Sequence, residues 1–157
     1  MNKNQKTKEK TCAFYASDYH FEMISLPYIN EKLDENKEVI ILTENNLKET
    51  IKTLISKINL NKEKKADILK IDWENNDLNK FKEINKNIKN KKDIIIFVKG
   101  KENYIKNINK NIEKWTEENK NIEIIDCYDM EEISQDIHNI MNKYKFTLKT
   151  TGKNLIK

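Results

Sequence analysis

The chain has 157 residues, of which 37% are hydrophobic and 36% are charged. This length fits one domain that buries a core, and the periodic grouping of its apolar residues excludes wholesale disorder. The net charge is +4, and all thirty basic residues are lysines. Arginine is the usual bidentate reader of guanine and clamp for phosphate, so its absence argues against sequence-specific DNA recognition and an arginine-finger mechanism.

Residues 1–10 are polar and charged, and we expect them to form a flexible basic tail. They lack the apolar core of a signal peptide, and no later apolar run is long enough to cross a bilayer. Cys12 and Cys127 lie in separate apolar segments without the spacing of a metal site. They are predicted to be buried thiols in a reducing compartment. The expected location is therefore the cytoplasm, and no metal site is expected.

Five short apolar runs predict β-strands at residues 12–16, 38–42, 67–71, 93–98 and 122–126. The second and fourth runs are continuous and β-branched, which is typical of strands buried on both faces of a parallel sheet. Helical patterns separate the strands. We therefore predict a single α/β domain over residues 11–152, a three-layer Rossmann-like sandwich with about five mostly parallel strands. Ile40, Ile95 and Ile124 are expected in its core.

Between and after these strands, apolar residues recur with the helical period of 3.6. The three clearest apolar faces are Leu47, Ile51, Leu54, Ile55 and Ile58; Tyr104, Ile105, Ile108, Ile112 and Trp115; and Ile133, Ile137, Ile140, Met141, Tyr144 and Leu148. The third face predicts a long last helix that ends at Gly152, followed by a loose tail over residues 153–157.

Glycine is nearly absent, because Gly100 and Gly152 are the two glycines of the chain. A phosphate-binding P-loop requires two glycines before Lys and Ser or Thr, and the dinucleotide fingerprint requires three. Neither motif is present, and the common hydrolase and metalloprotease motifs are missing too. The sequence therefore assigns no cofactor and no catalytic residue.

Polar and aromatic side chains follow the predicted strands, and in a parallel sheet the carboxyl ends of the strands meet at one edge. Ligands of open α/β sheets bind in the crevice outside that edge. The candidate ligand-binding residues are Tyr15, Ser17, Asp18, Tyr19, His20, Glu44, Trp73, Lys99 and Tyr128. Helix capping and turn formation also account for Asp18, Thr43, Asn45 and Asp129 individually. His20 also fits a partly buried residue at the start of a helix. The aromatic residues Tyr19, Trp73 and Tyr128 are explained less well.

Several segments carry a family resemblance: Phe14-Tyr-Ala-Ser17, Leu26-Pro-Tyr-Ile29 with Leu33, Glu38-Val-Ile-Ile-Leu42, and Cys127-Tyr-Asp129. Together with the stretch from Tyr144 to Gly152, they resemble MEDS domains, the sensory domains of DcmR-type regulators. The resemblance implies a fold related to RecA/KaiC-like ATPases but without the phosphate-binding loop. It also implies a sensory or regulatory role in bacterial signalling or transcription, and it assigns no catalytic residues.

Three functions remain open at this point. The leading one is a stand-alone, non-catalytic sensory or regulatory domain that binds a small ligand, a protein partner or a second copy of itself. The alternative is a small enzyme acting on a phosphorylated or nucleotide substrate through Asp18, Asp72 and Lys99, with a divalent ion between the carboxylates. The third is weak, non-specific nucleic-acid association through lysine-rich helix faces. Neither specific nucleic-acid binding nor membrane association is expected.

Overall fold

A computed structural model describes residues 10–119 and 121–156, leaving aside the side chains of residues 116–118. In the described residues the strands are β1 (Thr11–Tyr15), β2 (Glu38–Thr43), β3 (Ile94–Gly100), β4 (Ile122–Asp129), β5 (Phe146–Lys149) and β6 (Gly152–Leu155). The helices are α1 (Asp18–Asp34), α2 (Lys48–Lys57), α3 (Lys62–Leu69), α4 (Asp77–Lys89), α5 (Glu102–Glu118) and α6 (Ile137–Met141).

The strands form one six-stranded sheet in the order β2-β3-β4-β1-β5-β6. The first five strands in this order run parallel, and β6 is antiparallel to β5. The predicted α/β class, with a mostly parallel sheet flanked by helices, is confirmed. Strand β3 lies inside the sheet, and all of its residues are buried.

Helices cover both faces of the sheet, and the side-chain alternation of β3 separates the two layers. Ile95 and Phe97 pack with α1, α2 and α3 on what we call the α1 side. Ile96 and Val98 pack with α4, α5 and α6 on what we call the α5 side. The predicted core residues Ile40, Ile95 and Ile124 are all buried. Full burial of each such side chain contributes about 1.5–3 kcal/mol.

Helix α1 begins where the sequence offers a capping residue. The Ser17 hydroxyl accepts a hydrogen bond from the His20 backbone N–H at 3.1 Å, which satisfies one free donor of the first turn. Pro27 lies inside the helix, where it cannot donate to the carbonyl four residues earlier. The helix ends at the Glu35 cap, and Asn36 then takes a positive φ of 64°.

The predicted strand at residues 67–71 is wrong, because its first three residues form the end of α3. Asn61 caps the start of that helix, since its side-chain oxygen accepts from the Lys64 backbone N–H at 2.8 Å. Ile68 is fully buried, while Leu69 next to it is 42% exposed. Such a short apolar run fits both helical and strand periods, and packing against α1 decides between them.

The predicted long last helix is also wrong. Helix α6 has five residues, and Leu148 belongs to β5 instead. Gly152, with φ of 124°, opens β6 rather than ending a helix. Strand β5 pairs with the edge of β1 that would otherwise be open, since Thr11 lies opposite Phe146. The predicted loose tail is therefore wrong for residues 153–155, which pair with β5.

The described residues begin at Lys10, and the rest of the predicted flexible tail lies outside them. The Lys10 ammonium lies 3.4 Å from the Asp126 carboxylate. Cys12 and Cys127 are buried free thiols, as predicted, and burial raises the pKa of Cys12 to about 12. None of the described helices is both long and apolar enough to cross a membrane.

Candidate functional site

The loops that follow β2 and β3 leave the sheet on opposite sides. The chain passes from β2 to α2 on the α1 side, and from β3 to α5 on the α5 side. These two strands are neighbours, and Thr43 lies opposite Lys99 at their carboxyl ends. Divergent loops of this kind open the crevice in which α/β sheets bind ligands. We call the carboxyl ends of β1 to β4, with the loops that follow them, the carboxyl rim.

Lys99 is the central feature of the rim on the α1 side. Only 2% of its side chain is exposed, yet its ammonium nitrogen lies 2.9 Å from Asp18 Oδ1. The ammonium also donates to Asn45 Oδ1 at 2.8 Å. It lies 4.6 Å from the ring centre of Tyr15 and 5.5 Å from that of Phe21. A buried ammonium requires such paired and aromatic neighbours to offset its lost hydration.

The two polar partners of Lys99 form a cover that we call the ammonium lid, consisting of Asp18 and Asn45. The Asn45 amide donates to Asp18 Oδ2 at 2.9 Å, so the two side chains hold each other in place. The Asp18 side chain is 36% exposed, and Asn45 is exposed as well. The Thr43 hydroxyl fixes the loop by donating to the Asn45 backbone carbonyl at 2.7 Å. Water therefore reaches the lid, while Lys99 remains beneath it.

Tyr15 forms the floor under the ammonium, and its hydroxyl is held neutral. Burial raises the pKa of Tyr15 well above its usual range, and the nearby carboxylates of Asp129 and Asp18 add to this effect. A phenolate would therefore not form near neutral pH. Its ring can serve as an apolar and cation-binding surface, but not as a base.

Glu22 lies one helical turn after Asp18 and is almost completely buried, with 1% of its surface exposed. Its Oε2 accepts from the Thr50 hydroxyl of α2 at 2.6 Å. Its Oε1 has no hydrogen-bond partner among the described residues. Burial raises the pKa of Glu22 above its ordinary value, and Asp18 raises it further, whereas Thr50 and Lys99 oppose the shift. The site thus contains a buried carboxyl group whose hydrogen bonding is incomplete.

On the α5 side of the same rim, Glu44 contacts the backbone rather than Lys99. Its Oε1 accepts from the Lys101 backbone N–H at 2.9 Å. A methyl group at Gly100 would lie 2.7 Å from that oxygen and 2.8 Å from the Tyr104 ring. Gly100 is therefore required for the close packing of Glu44 and Tyr104. The Tyr104 hydroxyl donates to Asp77 Oδ2 at 2.8 Å.

Three of the predicted site residues serve mainly to start α1 or point into solvent. Ser17 is the cap of the helix, and His20 Nδ1 accepts from the Ala16 backbone N–H at 2.8 Å. This agrees with the interpretation of His20 as a helix-start residue. Tyr19 is 60% exposed beside Asp18. It is the predicted residue whose aromatic surface is open to an incoming molecule.

Trp73 and Tyr128 do not lie beside Lys99. Trp73 packs into the core of the α1 side, and its ring N–H donates to the Ile68 carbonyl at 2.9 Å. Its substitution is therefore expected to destabilise the fold, rather than affect binding alone. Tyr128 points to the α5 side, where its ring stacks 5.6 Å from that of Phe14. The structure thus brings Tyr15, Asp18 and Lys99 together, with Glu44 on the opposite side of the rim.

The Tyr128 hydroxyl belongs to a second buried polar cluster, which is centred on Asp126. It lies 2.6 Å from the Tyr144 hydroxyl, which in turn donates to Asp126 Oδ2 at 2.6 Å. The other carboxylate oxygen of Asp126 accepts from the Asn109 amide at 3.0 Å. Both oxygens of this carboxylate therefore have donors. We regard this cluster as a structural connection between β4, α5 and the segment before β5.

Asp72 does not follow a strand, and it faces a different lysine. It lies 3.9 Å from the ammonium of Lys80, a residue of α4 that is 2% exposed. That ammonium also donates to the backbone carbonyls of Ile41 and Glu74. Burial lowers the pKa of Lys80, and the carboxylates around it partly oppose this shift. Asp72 and Asp18 thus serve two separate lysines. Within the part of the chain that the structure describes, no three His, Cys, Asp or Glu residues could together hold a metal ion.

Sequence reasoning identified Asp18 and Lys99 but missed Glu22, Thr50 and the role of Asn45 in the lid. Glu22 could have been found from its spacing, because residues four apart on a helix lie on the same face. Asn45 was interpretable as a helix cap, and only its position two residues after β2 indicated that it could belong to the site.

No family model, curated protein or solved structure matches this chain.

Proposed function

We propose that this chain is a non-catalytic sensory or regulatory domain that binds a small ligand at the α1 side of the carboxyl rim. The observation that carries the proposal is the buried ammonium of Lys99 beneath a lid of two solvent-accessible polar residues, the half-buried Asp18 and the exposed Asn45. A ligand that takes over the hydrogen bonds of the lid would reach a charged group that is otherwise shielded from water. The resemblance to MEDS sensory domains supports the regulatory part of the proposal.

The chemistry of the rim favours binding over catalysis. The alternative enzyme would use Asp18, Asp72 and Lys99 together, but Asp72 contacts Lys80 and Lys99 is paired with Asp18. A general base or nucleophile requires a group that is free to react and poised near the operating pH. We further propose a cytoplasmic location in a bacterial cell, since the two buried free thiols suit a reducing compartment.

The experiment is a thermal-shift screen of the full chain against metabolites and nucleotides, with and without magnesium. A ligand at a hundredfold excess over its dissociation constant should stabilise the fold by about 2.7 kcal/mol. The shift should be lost in Lys99→Met and kept in Lys82→Met, which removes an exposed lysine from α4. If every ligand that stabilises wild type stabilises Lys99→Met equally, the proposed site is wrong. Turnover of a ligand would favour the enzyme instead.

A further inference from the structure

We propose that Glu22 and Asp18 alternate as the counter-ion of Lys99, with Glu22 holding a proton for as long as Asp18 covers the ammonium. When Asp18 is drawn away, Glu22 loses this proton to solvent and its carboxylate balances the Lys99 charge. The inference depends on the proposed function only for the agent that moves Asp18, and the proton on Glu22 can be measured without any ligand.

The hydrogen bonds around Thr50 can accommodate a proton on Glu22 if the Thr50 hydroxyl, which donates to Glu22 in the structure, turns to the Leu47 carbonyl. The Thr50 hydroxyl has a single proton but two acceptors, Glu22 Oε2 at 2.6 Å and the Leu47 carbonyl at 3.1 Å. If Glu22 were ionised, this one proton could serve only one of them well. If Glu22 Oε2 carries a proton, it donates to Thr50, and Thr50 donates to Leu47. Both short contacts are then satisfied by one arrangement.

The unpartnered oxygen of Glu22 leads to the same conclusion. Oε1 is buried and has no hydrogen-bond partner in the described part of the chain. An unpaired charged oxygen in this position costs much more than an unpaired neutral carbonyl oxygen. Glu22 can therefore be buried here as a neutral carboxylic acid, whereas a buried carboxylate would require an additional hydrogen-bond donor. The cation that acts electrostatically on Glu22 is the Lys99 ammonium, which is directed at Asp18 instead.

The groups that face Glu22 define how the two carboxyls are coupled. Asp18 acts on it from the same helix, Lys99 from β3 and the neutral Thr50 hydroxyl from α2. Asp18 favours the protonated form of Glu22, and Lys99 favours the ionised form. Because Asp18 lies 2.9 Å from the ammonium, it neutralises much of the Lys99 charge that would otherwise ionise Glu22. Removing the Asp18 charge should therefore lower the pKa of Glu22 and favour its ionised form. Removing Lys99 should raise the pKa of Glu22 and favour its protonated form.

This coupling makes the rim sensitive to pH. A ligand that binds Asp18 through an amino or hydroxyl group would release one proton from Glu22, so its affinity should rise with pH. The increase should occur below the resting pKa of Glu22, where the free protein still holds the proton. A ligand that brings its own anion to Lys99 would leave Glu22 protonated, and its binding would release no proton from this group.

The test is carbon-13 NMR of protein labelled at the glutamate carboxyl carbons, titrated with acid and base without ligand. In wild type, one carboxyl should titrate above the others, and Glu22→Gln should remove that signal. Asp18→Asn should lower its midpoint by about one to two pH units, and Lys99→Met should raise it. Asp129→Asn, which removes a rim carboxylate that caps the Glu131 backbone N–H, should leave the midpoint of Glu22 unchanged.

Two results would overturn the inference. The first is a Glu22 signal that titrates with the exposed glutamates in wild type. The second is a midpoint that stays the same in Asp18→Asn and Lys99→Met, because a carboxyl that is merely buried would not respond to those charges. If one of the two variants does not fold, the other still decides, since each has its own predicted direction. A titration that contradicts the proton on Glu22 would not contradict the proposed ligand site. A ligand screen that contradicts the proposed site would likewise not contradict the proton on Glu22.

Discussion

The two buried lysines of the described chain, Lys80 and Lys99, are equally hidden but are held by different kinds of partner. Lys80 donates to the backbone carbonyls of Ile41 and Glu74, which cannot leave without disturbing β2 or the loop before α4. Lys99 is held by the side chains of Asp18, which is half-buried, and Asn45, which is exposed. Equal burial of the two lysines therefore does not mean that they have the same role. They differ in the kind of partner, which is backbone carbonyl for Lys80 and side chain for Lys99.

Lys80 has a clear structural purpose, because β2 is the edge strand of the sheet. The outer carbonyl of Ile41 would have no strand partner on that side, and the Lys80 ammonium supplies a donor. No comparable backbone group requires Lys99, since β3 is paired on both sides. The Lys99 ammonium is costly to bury and donates to no backbone group of the sheet, so its role is assigned to the proposed ligand site rather than to the strands.

The largest effect is expected from Lys80→Met, which keeps the length of the stem but leaves two carbonyls without their donor. The protein should lose about 2–4 kcal/mol of unfolding free energy, measured by chemical denaturation. Lys82→Met on the same helix removes an exposed charge and should change stability by less than about 0.5 kcal/mol. Equal effects of the two substitutions would show that Lys80 is not a structural donor.

A second substitution tests Gly100, the residue that follows Lys99 in β3 and faces the opposite side of the sheet. Gly100→Ala would place a methyl group 2.7 Å from Glu44 Oε1 and 2.8 Å from the Tyr104 ring. We expect a loss of about 1–3 kcal/mol from overpacking, measured in the same denaturation assay. Because Lys99 points to the α1 side, the Glu22 titration should remain unchanged. A shifted Glu22 midpoint in this variant would show that the two sides of the rim are not independent.

Lys99→Met should reduce the free energy of unfolding by about 1 kcal/mol, which is less than the loss expected for Lys80→Met. Asp18 and Asn45 can turn to water when the ammonium is removed, and the methionine still packs on Tyr15 and Phe21. Denaturation of both methionine variants under identical conditions provides the comparison. A cost for Lys99→Met that matches or exceeds the cost for Lys80→Met would mean that the ion pair is structural.

The smallest effect is a dependence of stability on pH, seen by comparing wild type with Glu22→Gln. The folded pKa of Glu22 is raised above its ordinary value of 4.5. Protonated Glu22 therefore contributes its full stabilisation at pH values below the pKa that Glu22 has in the unfolded chain. This stabilisation is lost as the pH rises through the pKa that Glu22 has in the folded protein. The advantage of wild type over Glu22→Gln should fall with rising pH by at most about 1.4 kcal/mol per unit. A difference that grows with pH would contradict the sign.

These comparisons also show which features the sequence could predict. The continuous β-branched runs in β2 and β3 correctly predicted buried parallel strands. The apolar spacing from Tyr104 to Ile112 correctly predicted a helix. Residues 67–71 and the stretch from Ile133 to Leu148 were mispredicted because their apolar spacing fits more than one period. Tertiary contacts decide such segments: α3 packs on α1, and β5 pairs with the open edge of β1.

The site was predictable only as far as strand ends could be located. Asp18 follows β1, and Lys99 lies at the carboxyl end of β3. Because the carboxyl ends of parallel strands meet at one edge of a sheet, the sequence predicted correctly that these two residues lie close together. Trp73 was assigned to the rim because it follows a stretch that proved to be helical, and it lies in the core instead. Glu22 appears in the sequence as one acidic residue among many. Its importance depends on burial and on an unpaired oxygen, which no local pattern reveals.

The most direct test of the central claim is the rate at which the two buried ammonium groups exchange protons with water, measured by NMR on protein labelled with nitrogen-15 in lysine. Lys80→Met and Lys99→Met assign the two signals. The account predicts that Lys99 exchanges faster than Lys80, and that Asn45→Ala accelerates Lys99 without affecting Lys80. If Lys99 exchanges as slowly as Lys80 and Asn45→Ala does not change its rate, Asp18 and Asn45 do not act as a lid, and the ligand site proposed at this rim is contradicted.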